Sequence, residues 1–217
     1  MAETNAPTAT RKDLHLGRRL FHMMGGTTVV IVYGLFFTHS QVVQFLGAVA
    51  CIIYIFDRFR IAYPEIAKRF EGVTRFFLRA EERLQESSMI PYVIAILLTV
   101  ISFPKPIAIV SILTLALADP FSAIVGIRYG KRHVVKEKTI EGSLAFLLVA
   151  LLCCLLVLFR TTNASGWKIV VTSLLLSPSA TFFEMLPIKL DDNLTIPLFM
   201  GFLGWGLCIL MGIPLIN

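Results

Sequence analysis

With 217 residues, 56% of them hydrophobic and only 16% charged, the chain is too apolar for an ordinary water-soluble domain. Apolar runs of span length recur along most of it, so it reads as an integral membrane protein. A formal net charge of +6 does not call for a nucleic-acid partner, because the basic residues gather between the apolar runs, where they report orientation.

The chain opens with MAETNAPTAT. Residues 1–17 read as a polar cytoplasmic tail, without the small-residue cleavage site of a signal peptide. Residues 18–217 form a single transmembrane domain. Candidate spans are 20–38, 42–56, 89–103, 106–127, 142–159, 168–187 and 196–216. The fold expected is all-α and polytopic, with about seven transmembrane helices, six being the alternative, plus one cytoplasmic amphipathic surface helix. That helix is expected within 57–88, where Ile66, Phe70, Val73, Phe77 and Leu84 share a face and Lys68, Arg69, Arg75, Arg79 and Arg83 occupy much of the rest. Residues 128–141 read as a basic cytoplasmic loop. Cys51, Cys153, Cys154 and Cys208 all fall in apolar runs with no CxxC spacing, which suits packing rather than zinc or disulfides.

Four Lys/Arg precede the first span, seven lie between spans two and three, five between four and five, and Lys189 between six and seven. Only Lys105, Arg160 and Lys168 fall on the other side. The positive-inside rule therefore puts the N-terminus in the cytoplasm.

Three polar clusters then share the cytoplasmic side. The first is GRRLFHMMGG, 17–26. Arg18 and Arg19 can serve as snorkelling anchors, but His22 lies a turn deeper, where its ring needs a partner. The second opens at LALADPFSAIVG, 115–126. An aspartate inside a span is a functional candidate by default, and Pro120 is expected to break the helix beside it, as helices lining a cavity do. Gly126 and Gly130 lead into Lys131, Arg132, Lys136 and Lys138, and then Thr139, Gly142 and Ser143 open a new helix. Small residues, lysines and a helix N-terminus suit a polyphosphate. A basic loop after a glycine-kinked helix explains the loop equally well, though not Asp119. The third is FEMLPIKLDDNLTIPL, 183–198. Asp191, Asp192, Asn193 and Pro197 could simply cap a helix. Two adjacent carboxylates with Glu184 close by also offer hard oxygen ligands for Mg²⁺, the reading preferred here.

At RRLFHMMGG, at DPFSAIVGIRYGK with KEKTIEGSLA, and at DDNLTIP, the chain resembles the CTP-dependent lipid kinases: dolichol kinase, phytol kinase and, most closely, CTP-dependent diacylglycerol kinase. YPEIAKRF and FLRAEE are similar to the diacylglycerol kinase branch. The resemblance runs in order from about Arg18 to Pro197. Pro120, Phe121 and Glu137 depart from the family pattern. The long signature of phosphatidate cytidylyltransferases is absent.

The resemblance implies transfer of the γ-phosphate of CTP to the hydroxyl of a membrane lipid alcohol, diacylglycerol first and polyprenol or phytol as alternatives. On that reading Asp119 or His22 is the catalytic base. Arg18, Arg19, Gly126, Gly130, Lys131, Lys136, Lys138, Thr139, Gly142, Ser143 and Asn193 bind nucleotide and phosphate. Asp191 and Asp192, with Asp119, hold Mg²⁺. The expected location is a bacterial inner (plasma) membrane, with the active site at the cytoplasmic face and no nucleic-acid partner. The rival readings are a small transporter relaying protons through Asp119 and Glu184, and a non-catalytic lipid-binding protein.

Overall fold

A computed structural model describes residues 16–67, 89–135, 138–187 and 191–215. In chain order these form α1 (Leu16–Leu35), α2 (His39–Ala62), a short α3 (Pro64–Ala67), α4 (Met89–Ser102), α5 (Lys105–Leu113), a π-helical turn (Thr114–Ala118) and α6 (Asp119–Tyr129). A small antiparallel hairpin follows, β1 (His133–Val135) with β2 (Lys138–Thr139), and then α7 (Ile140–Thr161), α8 (Gly166–Met185) and α9 (Asp192–Met211). Among the described residues, four helices are long and apolar enough to cross a membrane: His39–Ala62, Lys105–Tyr129, Ile140–Thr161 and Asp192–Met211. His22–Leu35 and Met89–Ser102 are apolar but shorter. The protein is an all-α membrane protein whose β structure, among the described residues, is this short two-stranded hairpin.

Local chemistry sets the helix ends. Thr38 begins α2 with a capping box: the Gln41 amide donates to Thr38 Oγ1 at 3.4 Å, and the Thr38 amide to Gln41 Oε1 at 3.0 Å. Thr139 caps α7 by accepting from the Gly142 amide at 3.2 Å. Gly212, at φ 60°, closes α9 in the left-handed conformation that lets Ile213 reach back to the Cys208 carbonyl at 2.8 Å.

Two boundaries differ from the sequence expectation. Pro120 does not break its span. It has no N–H for the Ala116 carbonyl, and its ring would crowd that carbonyl in a regular helix. The turn Thr114–Ala118 is instead widened to π geometry, and α-helix resumes at Asp119, so one span runs from Lys105 to Tyr129. The second difference is at 57–62, expected outside the membrane segments but forming the last turns of α2. There Arg60 donates to Asp57 Oδ1 at 2.6 Å with both side chains buried, so the charges stay on the helix. The rest of the expected surface helix, residues 68–88, lies outside the described residues, as do residues 1–15.

The α5–π–α6 span is the most deeply buried of the four. Ile107, Val110, Ile112 and Leu115 sit at its core, with Phe146, Leu158, Leu176, Ile196 and Met200 closing on them from α7, α8 and α9. Lipid tails are as apolar as these side chains, so close fit rather than escape from water must hold such helices together. Gly26 shows the fit. A Cβ there would lie 2.5 Å from both Ala116 Cβ and Tyr92 Oη, so α1 rests directly on the π turn. At one end of the bundle the α1–α2 and α4–α5 turns meet: Tyr33 Oη and His39 Nδ1 are hydrogen-bonded at 2.8 Å, and Lys105 Nζ sits 5.0 Å above the Tyr33 ring. The opposite end gathers the start of α1, the β hairpin, the end of α8 and the start of α9.

Replacing Gly26 with Ala should therefore lower the thermal midpoint of the detergent-solubilised protein, at an overpacking cost of about 1–3 kcal/mol. Gly25→Ala, where an added Cβ meets nothing within 4 Å, should be neutral or stabilising by up to about 1 kcal/mol. Equal midpoints for the two variants would refute this packing account.

Candidate active site

The polar end is organised around Lys138. It lies on β2, one residue before the Thr139 cap, so its backbone is tied to the start of α7. Its ammonium donates to Glu184 Oε1 at 2.5 Å and to Asp192 Oδ2 at 3.2 Å. Glu184 ends α8 and Asp192 begins α9. The packing of those two helices, with Phe183 and Phe199 stacked at 4.1 Å, brings the two acids to one place. Asp119 faces the same charges from the central span: Lys138, Asp192, Glu184 and Arg19 all act on it electrostatically. Burial by itself lowers the Lys138 pKa, but Glu184, Asp192 and Asp119 outweigh it and hold the amine above the ordinary lysine range.

Three glycines make that placement possible. A Cβ on Gly142 would come 2.8 Å from the Ser122 carbonyl oxygen and 3.3 Å from Gly126 Cα. A Cβ on Gly126 would sit 3.0 Å from Thr139 Oγ1, and one on Gly130 would also run into Thr139. The glycines thus form a seat for the Thr139 side chain where α6 crosses the start of α7. The Gly130 amide already donates to the Gly126 carbonyl at 2.9 Å. Gly126 and Gly130, expected from spacing to approach phosphate, are both packed against Thr139. Glu141 fixes the hairpin from the other side, accepting from the Lys131 amide at 3.1 Å. Lys131 is exposed beside it, Ser143 is buried with no partner for its hydroxyl among the described residues, and Lys136 lies outside the described residues.

His22 is buried on α1. Its ring lies 4.2 Å from that of Tyr92, and its carbonyl accepts from Tyr92 Oη at 2.7 Å. Tyr92 is in turn within electrostatic reach of Asp119, so α1, α4 and α6 contribute to one neighbourhood. Arg19 belongs to it through Asp119; the Arg18 side chain lies outside the described residues.

The Asp191–Asn193 turn divides its labour. Asp191 caps α9, its Oδ1 accepting from the Asn193 amide at 2.9 Å and from Asn193 Nδ2 at 2.8 Å. Asp192 turns to Lys138 instead. Among the described residues no three His, Cys, Asp or Glu side chains converge to hold a metal. A Mg²⁺ that travels with a nucleotide asks for less, one or two carboxylates plus the phosphates themselves. Asp192, with its side chain 46% exposed, meets that lesser demand.

Sequence reasoning left two members out of its site. Glu184 carried a usable signal, an acid at the end of an apolar run. Tyr92 carried none, since an aromatic in a span is ordinary packing.

The raised pKa of Lys138 leaves less neutral amine at a given alkaline pH. In a brief acetylation at about pH 8.5, Lys138 should be labelled several-fold more slowly than exposed Lys131, read by peptide mass spectrometry. Equal rates would contradict the electrostatic account.

No protein-family model matches the chain, and no solved structure does. Curated relatives do. CTP-dependent diacylglycerol kinase 1 of Schizosaccharomyces pombe is 24% identical over 200 residues, covering 86% of this chain and 90% of that protein. An uncharacterized protein of Rickettsia prowazekii is 29% identical over 193 residues, covering 86% and 91%. Probable phytol kinase 3 of Glycine max is 30% identical over 196 residues, covering 86% of this chain and 61% of the plant protein. Over most of its length the chain is thus similar to kinases of both names, the CTP-dependent diacylglycerol kinases and the phytol kinases.

Proposed function

We propose that the protein is a CTP-dependent lipid kinase that phosphorylates the hydroxyl of diacylglycerol, giving phosphatidic acid. The observation that carries the reading is Lys138, a cation gripped by two acids beside the intramembrane Asp119 in a chain similar to lipid kinases. Diacylglycerol is favoured over phytol because the relative named for it is matched across 90% of its length, against 61% for the phytol kinase above.

In this reading α1, α2, α4, the α5–α6 span, α7, α8 and α9 make seven crossings of a bacterial plasma membrane. The excess of Lys and Arg at the polar end supports a cytoplasmic N-terminus and a site open to cytosolic CTP. The lipid hydroxyl oxygen attacks the γ-phosphorus, the bond to the β–γ bridging oxygen breaks, and CDP leaves. Such transfers depend on positioning and charge stabilisation more than on covalent chemistry. Lys138 and Arg19, with Lys131 at the rim, neutralise the phosphate oxygens. Asp119 takes the hydroxyl proton. His22, with its ring against Tyr92, packs α1 against α4 rather than acting as base. A Mg²⁺ bound with CTP at Asp192 would add charge neutralisation at the phosphates.

Purified protein in lipid, given Mg²⁺ and γ-labelled CTP, should label diacylglycerol in preference to phytol or undecaprenol. Label from ATP alone would overturn the donor assignment, and label in a prenol alone the acceptor. Asp119→Asn should lower turnover by about 100-fold or more with the thermal midpoint little changed. Normal turnover in that variant would remove Asp119 from the chemistry.

A further inference from the structure

Glu184 is the most completely buried acid of the polar end, with a side chain 1% exposed. One oxygen, Oε1, receives the Lys138 ammonium at 2.5 Å. The other, Oε2, is buried with no hydrogen-bond partner among the described residues. The lysine that covers it is different: its side chain is 31% exposed, so it separates the acid from solvent while remaining partly open itself. Its second partner, Asp192, is 46% exposed and sits farther away, at 3.2 Å.

Structural tethering does not account for this arrangement well. A buried ion pair is a weak source of stability, since apolar side chains of similar size generally do as well or better. An acid sunk beneath a half-open lysine does something an apolar residue cannot. It keeps the ammonium charged and fixed while leaving its outer face free to meet an anion. Lys138 is further constrained by Thr139, whose side chain is locked among three glycines.

On this basis we infer that Glu184 is a positioning residue that holds the Lys138 ammonium in place for the nucleotide phosphates, while Asp192 is the partner that gives way when the phosphates arrive. The inference rests on the lipid kinase reading. Glu184 touches no substrate in this scheme and acts through Lys138 alone. Adding a triphosphate exchanges the exposed Asp192 contact for phosphate oxygens, and the buried Glu184 contact persists.

The test is a double-mutant cycle on the full-length protein in lipid, following transfer from γ-labelled CTP to diacylglycerol. Glu184→Gln keeps the shape and removes the charge, and should lower kcat about 10-fold or more, in the range of lost charge-stabilising contacts. Lys138→Gln should show a loss of similar size. If Glu184 acts through Lys138, the double variant should be no worse than the poorer single one. Glu184→Asp, which restores the charge on a shorter arm, should recover part of the activity. A folded Glu184→Gln protein within two-fold of wild type, or losses that multiply in the double variant, would overturn the inference. Should Glu184→Gln fail to fold, the Glu184→Asp and Lys138→Gln pair runs the same cycle. Wild-type protein that labels no lipid from any nucleotide would bring down the kinase reading itself, an outcome distinct from either failure above.

Discussion

An acid held away from water needs a counter-charge, and in this protein the lysine that answers for buried Glu184 also faces two further acids. Glu184, Asp192 and Asp119 come from the end of α8, the start of α9 and the middle of the α5–α6 span, and Lys138 from a hairpin between α6 and α7. An isolated carboxylate in a low-dielectric setting would be driven to its neutral form or would pull the helix end apart. The Lys138 ammonium removes that penalty for Glu184 and ties the end of α8 to the start of α9, with Asp119 of the central span in its field. Everything polar at this end of the bundle, including the hairpin that delivers the lysine, can be read as serving that convergence.

Delivering the lysine is a packing problem before it is an electrostatic one. The hairpin can approach α6 only because Gly126, Gly130 and Gly142 leave room for Thr139, and Thr139 in turn caps α7. In a lipid environment such close approach is the main source of helix association. The same logic recurs where Gly26 lets α1 lie on Ala116 of the π turn. The widened turn accommodates Pro120, and Asp119 emerges at its end, half-buried and within reach of the charged cluster. The Asp–Pro pair in the middle of an apolar span is thus a device for aiming an acid without interrupting the helix.

Catalysis by such an end would draw on very little machinery. Phosphoryl transfer asks for fixed cations, a placed proton acceptor and exclusion of competing nucleophiles. In the proposed scheme Lys138, Arg19 at the start of α1 and Asp119 in the central span would supply the first two. The relatives carry names for different lipid alcohols, which fits the proposed scheme, in which the chemistry would lie at the polar end and acceptor specificity would come from the apolar walls.

Much of this was open to reading from the chain itself. Repeated apolar runs fixed the class because only helices or closed barrels satisfy backbone groups in lipid. Asp119 stood out because its burial demands a reason, and Thr139 and Asp191 sit at helix starts where capping chemistry favours them. The convergence did not lie in the sequence. Glu184 and Lys138 are separated by 46 positions, and nothing in either stretch says that they touch. Nor does spacing tell a glycine that cradles phosphate from one that seats a threonine, since both reasons leave the same residue behind. Charge and periodicity are local properties, and they determined the class and the candidate end. Which acid meets the lysine, and which aspartate is spent on capping, depends on how α6, α7, α8 and α9 cross, and close packing between distant segments decides that only once the chain is folded.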